Sequence, residues 1–113
     1  MHEFGLALQI LEMAEEHARP LAPCKVTQIE IELGDLANVM YESLLFSLQA
    51  VTEHSVCAGA EILIHRVPGR GQCVQCGAEF PMEAIFGECP RCGDPTPLLI
   101  QGKEFRLLSI QID

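Results

Sequence analysis

The chain has no tryptophan, one tyrosine, and only seven lysines and arginines among its 113 residues. With so few aromatics, the modest core that 49% apolar residues allow must be built mostly from aliphatic side chains. Positive charge is scarce against sixteen acids, giving a formal net charge of -9. That balance argues against nucleic acid or anionic lipid as the main partner, because phosphate binding rests on basic residues. Metal cations and basic protein surfaces suit such a chain better. No stretch approaches the ~18 consecutive apolar residues of a membrane helix, so no membrane association is expected. A basic leader is missing too, and Glu12, Glu15 and Glu16 interrupt the first apolar face. The protein is therefore expected in the cytoplasm, where thiols stay reduced and clustered cysteines usually bind metal.

What is present begins with helical spacing. Phe4, Ala7, Leu8, Leu11, Ala14 and Ala18 recur every three or four residues, predicting an amphipathic helix ended by Pro20 and Pro23. Residues 26–34 alternate, with Ile29, Ile31 and Leu33 on one face and Gln28, Glu30 and Glu32 on the other, as in a strand with one wet face. A second helix is predicted over 40–51, with Asn38 as its N-cap. Further strands are predicted over 61–67 and 105–113, the last with a bulge where its apolar parity shifts between Leu107 and Leu108.

Residues 68–97 have a different character: five of the seven prolines, four of the six cysteines and no regular period. Within them, Cys73-Val-Gln-Cys76-Gly77 and Cys89-Pro-Arg-Cys92-Gly93 are two C-x2-C turns with twelve residues between them. Such a turn lets both thiolates face one ion, and the glycine after it suits a left-handed backbone. Two turns complete a tetrahedral four-sulfur site, closed to substrate, the structural form of zinc binding. Two disulfides are the weaker alternative in a reducing compartment. Iron competes more seriously, since C-P-x-C-G turns also hold iron in rubredoxin-like modules. Phe80 and Phe86 alone make a thin aromatic shell for a redox iron, which favours zinc. Five basic residues against five acids over 66–106 make a nucleic-acid-reading ribbon a poor fit. The expected fold is α+β: two helices packed on one face of a small three-stranded sheet, with a zinc-ribbon-like module inserted before the final strand. Its domains are 1–67, completed by strand 103–113, and the metal module 68–102. Cys24 and Cys57 read as buried small hydrophobes. His17, His54 and His65 form no metal-ligand pair: the first two read as solvated residues near element ends, and His65 could face either side of its strand.

The chain starts Met1-His2-Glu3. A histidine at position two lets the terminal amine, its own amide nitrogen and its imidazole close adjoining chelate rings. Nickel(II) and copper(II) favour such square-planar, nitrogen-rich geometry and promote loss of the amide proton. A bulky second residue also disfavours removal of the methionine whose amine is needed.

Taken together, Met1-His2-Glu3, the strand ending Glu32-Leu33-Gly34, the run Glu42-Ser43-Leu44-Leu45-Phe46, Gly59-Ala60-Glu61-Ile62, the paired C-x2-C turns, and Gly102-Lys103-Glu104-Phe105-Arg106-Leu107 resemble the HypA/HybF family of hydrogenase maturation proteins. The resemblance runs over essentially the whole chain. It implies a nickel metallochaperone with nickel bound by Met1, His2 and Glu3, and structural zinc held by Cys73, Cys76, Cys89 and Cys92. Glu42 matches an acidic position that approaches the nickel in some members. It also implies a HypB-like GTPase partner and delivery to the large subunit of a [NiFe] hydrogenase, with urease as another possible recipient. A monomer or weak dimer is expected. One departure is Gly5, where family members commonly carry serine.

Two other functions compete. A zinc-ribbon adaptor without a nickel role would make the Met1-His2-Glu3 start incidental. An enzyme would need a nucleophile–base pair, a P-loop, a G-x-S-x-G turn or an open catalytic metal site, and none is recognisable here. Nickel binding that depends on His2 separates the chaperone from the adaptor.

Overall fold

The structure is a computed structural model and describes residues 2–113; the Met1 amine expected as a ligand lies outside the described residues. The chain gathers into two compact units. One comprises the residues up to Glu32, Val39–His65 and Arg106–Asp113; the other comprises Leu33–Asn38 and Arg66–Phe105.

In the first unit, helix α1 spans His2–Ala18 and buries Ala7, Ile10, Ala14 and Ala18. Phe4 and Leu8, counted in the expected apolar stripe, are instead exposed. Alanines dominate the buried line, and α1 packs against the second helix, α2 (Tyr41–Val51). Pro20 turns the end of α1 into a 3-10 turn, Arg19–Leu21, followed by a cis Ala22–Pro23 peptide.

Strand β1, Val26–Gly34, is central in a three-stranded sheet, between β2 (Glu61–Val67) and a last strand, Phe105–Ile112. Ile29 and Ile31 join Ile10, Leu44, Leu48 and Cys57 among the fully buried residues of this unit. The other face of β1 is wet, as its alternation predicts. There the Gln28 amide donates to Glu61 Oε1 at 2.8 Å, the Arg106 Nε donates to Glu32 Oε1 at 2.7 Å, and His65 Nε2 lies 3.6 Å from Glu30. The break in alternation along the last strand falls at Leu108 and Ser109, two exposed residues in succession.

Helix α2 departs from expectation at its start. Asn38 is not its cap: it sits at φ 60°, in the left-handed region that asparagine tolerates in turns. The N-cap position is Met40, whose side chain offers no capping bond. At the other end, the Thr52 hydroxyl donates to the Leu48 carbonyl at 2.8 Å.

The second unit contains regular structure that its composition hides. Strand β3 (Arg70–Gln72) is central in an antiparallel sheet, between β4 (Glu79–Pro81) and β5 (Leu98–Gln101), so the last strand of the chain is β6. Gly71 pairs with Phe80 on one side and Leu99 on the other. A Cβ at Gly71 would collide with the Met82 thioether and the Phe80 ring, so the absent side chain is what lets this cluster close. Phe80, Met82, Cys73 and Cys89 are buried together against Leu36 and Leu99. Gly34 approaches Gly102 so closely that a Cβ would strike the Gly102 carbonyl. There the Gly34 N–H donates to the Glu104 carbonyl and the Leu36 N–H to the Gly102 carbonyl, both at 2.7 Å. Among the described residues no helix is long and apolar enough to cross a membrane.

Candidate metal centres

The two C-x2-C turns fold as near copies of each other. In one, the Gly77 N–H donates to the Cys73 carbonyl at 2.9 Å and the Cys73 N–H to the Ala78 carbonyl at 2.9 Å. In the other, Gly93 donates to the Cys89 carbonyl at 2.8 Å and Cys89 to the Asp94 carbonyl at 2.9 Å. Gly77 and Gly93 lie at φ 77° and 80°, the left-handed conformation expected of a glycine after such a turn.

Cys73, Cys76, Cys89 and Cys92 are free cysteines with sulfurs all within 4.8 Å of one another. The Cys73–Cys92 and Cys76–Cys89 sulfur pairs are 3.4 and 3.7 Å apart. Metal–sulfur bonds of ~2.3 Å in a tetrahedron put sulfurs about 3.8 Å apart, so the four are positioned for metal binding. The backbone is arranged for thiolate charge as well: the Cys76 N–H points at the Cys73 sulfur, and the Arg91 and Cys92 N–H groups at the Cys89 sulfur. The Cys92 N–H first, with that of Arg91, brings the Cys89 thiol down to about 7. The Asp94 N–H favours the Cys92 thiolate, but the neighbouring Cys73 sulfur and burial outweigh it and push that thiol up to about 12. Four crowded sulfurs cannot all ionise without a cation among them.

Asp94 is a participant that sequence reading missed. Its Oδ1 accepts the Thr96 N–H at 3.0 Å and the Thr96 hydroxyl at 3.2 Å, and its Oδ2 lies 3.9 Å from the Cys73 sulfur. The signal was present: an aspartate followed two residues later by a hydrogen-bonding partner is an Asx turn, here closing the second cysteine loop.

The second candidate centre lies at the start of α1. His2 and Glu3 stand in the first turn of α1, the turn whose N–H groups have no acceptor within a helix. The His2 side chain is 59% exposed, whereas that of Glu3 is 12% exposed. Glu3 Oε2 stands 3.3 Å from His2 Nδ1 and accepts the Met40 N–H at 3.3 Å. The Met40 N–H, followed by His2, holds the Glu3 carboxyl below the usual carboxylate range. Glu42 is exposed in the first turn of α2, two residues beyond Met40. The fold thus brings His2, Glu3 and the start of α2 to one place. No pattern in the sequence reveals the Glu3–Met40 bond, because its partners are 37 residues apart and one is a backbone amide.

The remaining candidates fall outside both centres. Cys57 is buried as expected, while Cys24 is only half-buried and donates its S–H to the Ala18 carbonyl at 3.4 Å. His17 is exposed, and His65 is engaged with Glu30 on the wet face.

A family model described as HypA, hydrogenase/urease nickel incorporation, metallochaperone, matches residues 1–112. The chain is 38% identical over 112 residues to hydrogenase maturation factor HypA of Parabacteroides distasonis, covering 99% of this chain and 97% of that one. It is 34% identical over 113 residues to the factor of the same name from Geobacter metallireducens, covering all of both chains. Among solved structures, the solution structure of HypA protein superposes with a TM-score of 0.71 at 26% identity, covering 98% of this chain and 95% of that one.

Proposed function

The chain belongs to the HypA family of hydrogenase and urease nickel-incorporation metallochaperones, and from that premise we propose that it binds nickel(II) transiently at Met1, His2 and Glu3 and delivers it to the large subunit of a [NiFe] hydrogenase. The observation that carries the reading is the start of α1, where an exposed imidazole adjoins backbone amides that no helical bond needs. A metal taking an amide nitrogen there disrupts no secondary structure. The positive end of the helix dipole would repel a cation, and a deprotonated amide with Glu3 and Glu42 nearby offsets that repulsion.

Zinc suits the four-cysteine centre, whose donors are all sulfur and whose backbone N–H groups face two of the thiolates. Held by Cys73, Cys76, Cys89 and Cys92, zinc would supply structural cross-linking rather than reactivity. The two units then divide the work: the α1–α2 unit carries transient nickel, and the cysteine module carries resident zinc. Glu42, exposed in the first turn of α2, would be an additional ligand in some states of the site. The partners proposed are a HypB-like GTPase and the hydrogenase large subunit, in the cytoplasm, and the chain itself performs no catalysis.

Nickel titration of protein with a native N-terminus tests this reading. One nickel per chain is expected, with affinity falling more than roughly tenfold in His2→Ala and equally when a residue is added ahead of Met1. Unchanged affinity in His2→Ala would refute the nickel site and favour an adaptor role.

A further inference from the structure

The Glu3 carboxylate has a use that nickel coordination does not require. Helix α2 begins without a cap of its own: Met40, at the N-cap, makes no side-chain capping bond, and Asn38 lies two residues before it at φ 60°. In a capping box, an acidic side chain in the first turn reaches back to the N-cap N–H. The residue at that position of α2 is Ser43, which makes no such bond. Glu3 supplies it from α1, accepting the Met40 N–H at 3.3 Å with a side chain that is mostly buried. The same oxygen, Oε2, stands 3.3 Å from His2 Nδ1.

That shared oxygen matters because of the chelate. A metal on the His2 amide nitrogen closes a ring with the imidazole through Nδ1, since Nε2 is on the far side of the ring. Nδ1 is the atom that Glu3 holds. Nickel therefore has to take Nδ1 away from the carboxylate, which is then left with Met40 as its remaining partner in this pair of contacts. Loading of the site is in this way linked to the first turn of α2.

We infer that Glu3 is a positioning residue whose carboxylate caps α2 through the Met40 N–H and guards His2 Nδ1 until nickel displaces it. The inference rests on the nickel reading for its second half, and it separates the residue from its side chain: Glu3 stands in the site, but its carboxylate serves α2.

The test is amide hydrogen exchange by NMR on the full chain with a native N-terminus, with and without nickel(II), in wild type, Glu3→Ala, Glu3→Gln and His2→Ala. Exchange at Met40 should quicken about fivefold or more in Glu3→Ala. It should stay near wild type in Glu3→Gln, because the glutamine carbonyl accepts the same N–H. Ile29 and Ile31, in the buried strand, should be unaffected by either change and so report that the fold is intact. Nickel should shift the Met40 amide resonance in wild type but much less in Glu3→Ala. Glu3→Ala should weaken nickel binding but keep the visible absorption of nitrogen-coordinated nickel, whereas His2→Ala should abolish it. Equal Met40 exchange in wild type and Glu3→Ala would overturn the cap. Loss of nickel in Glu3→Ala as complete as in His2→Ala would show that the carboxylate is a ligand. Retention of nickel in His2→Ala would sink the nickel reading itself, leaving the Met40 result to judge the cap alone.

Discussion

Cys57 shows how one side chain links burial to solution behaviour. It is fully buried, and its N–H donates to the Ser55 hydroxyl at 3.0 Å. Burial pushes the Cys57 thiol up, with the charge of Glu15 adding to the effect. A thiol ionises near 8.5 in the unfolded chain, so above that pH the unfolded state sheds a proton that the folded state keeps. The stability gained by burying a neutral thiol is therefore complete below about pH 8.5 and declines as pH rises toward the higher folded value. Thermal melts from pH 7 to 10 should show wild type losing stability faster on the alkaline side than Cys57→Ala, whose lower starting stability reflects the small cavity. Parallel curves would mean that Cys57 does not titrate with unfolding. Cys24, half-buried, should be alkylated well before Cys57 in native protein.

Two glycines make opposite predictions for the elements that contain them. Gly5 lies inside α1, and a Cβ there meets nothing within 4 Å. Gly5→Ala should stabilise the protein by about 0.5–1 kcal/mol in denaturant melts, because glycine loses more backbone freedom than alanine in a helix. Gly71 lies in β3, where a Cβ meets Met82 and Phe80. Gly71→Ala should cost about 1–3 kcal/mol of local stability, read as faster amide exchange across β3, β4 and β5. The same contrast explains what was legible beforehand. The long elements α1, α2, β1, β2 and β6 carry a hydrophobic period, and it located them closely. The strands β3, β4 and β5 run only three or four residues around Gly71 and Pro81, so alternation has no length in which to show. Spacing alone exposed the four cysteines, since a C-x2-C turn is local. Glu3 was visible as a candidate ligand, but its bond to Met40 exists only once two helices have packed.

At the scale of the whole molecule, the two units rest on different sources of stability. The first has a hydrophobic interior drawn from both helices and the β1 sheet, including Ile10, Ile29, Ile31, Leu44 and Leu48, all fully buried. The second has a buried cluster of Cys73, Phe80, Met82 and Cys89 with Leu36 and Leu99 against it, so two of its six members are themselves metal ligands in the proposed centre. So small a cluster offsets little of the ordering entropy of residues 66–105, and their three short strands bury little more. In the proposed centre zinc would supply the missing free energy, roughly 10 kcal/mol or more for comparable four-ligand sites at neutral pH. Removing it with a strong chelator should therefore release protection across 66–105 while leaving the amides of α1, α2 and residues 26–32 exchanging at their original rates. Hydrogen exchange read by mass spectrometry, with zinc restored as the control, measures both regions in one sample. If all amides lose protection together, the molecule unfolds as a single cooperative body and the first unit depends on zinc as much as the second. If 66–105 alone is lost, the α1–α2 unit stands on its hydrophobic interior, and nickel titrated into the zinc-free protein should still find His2.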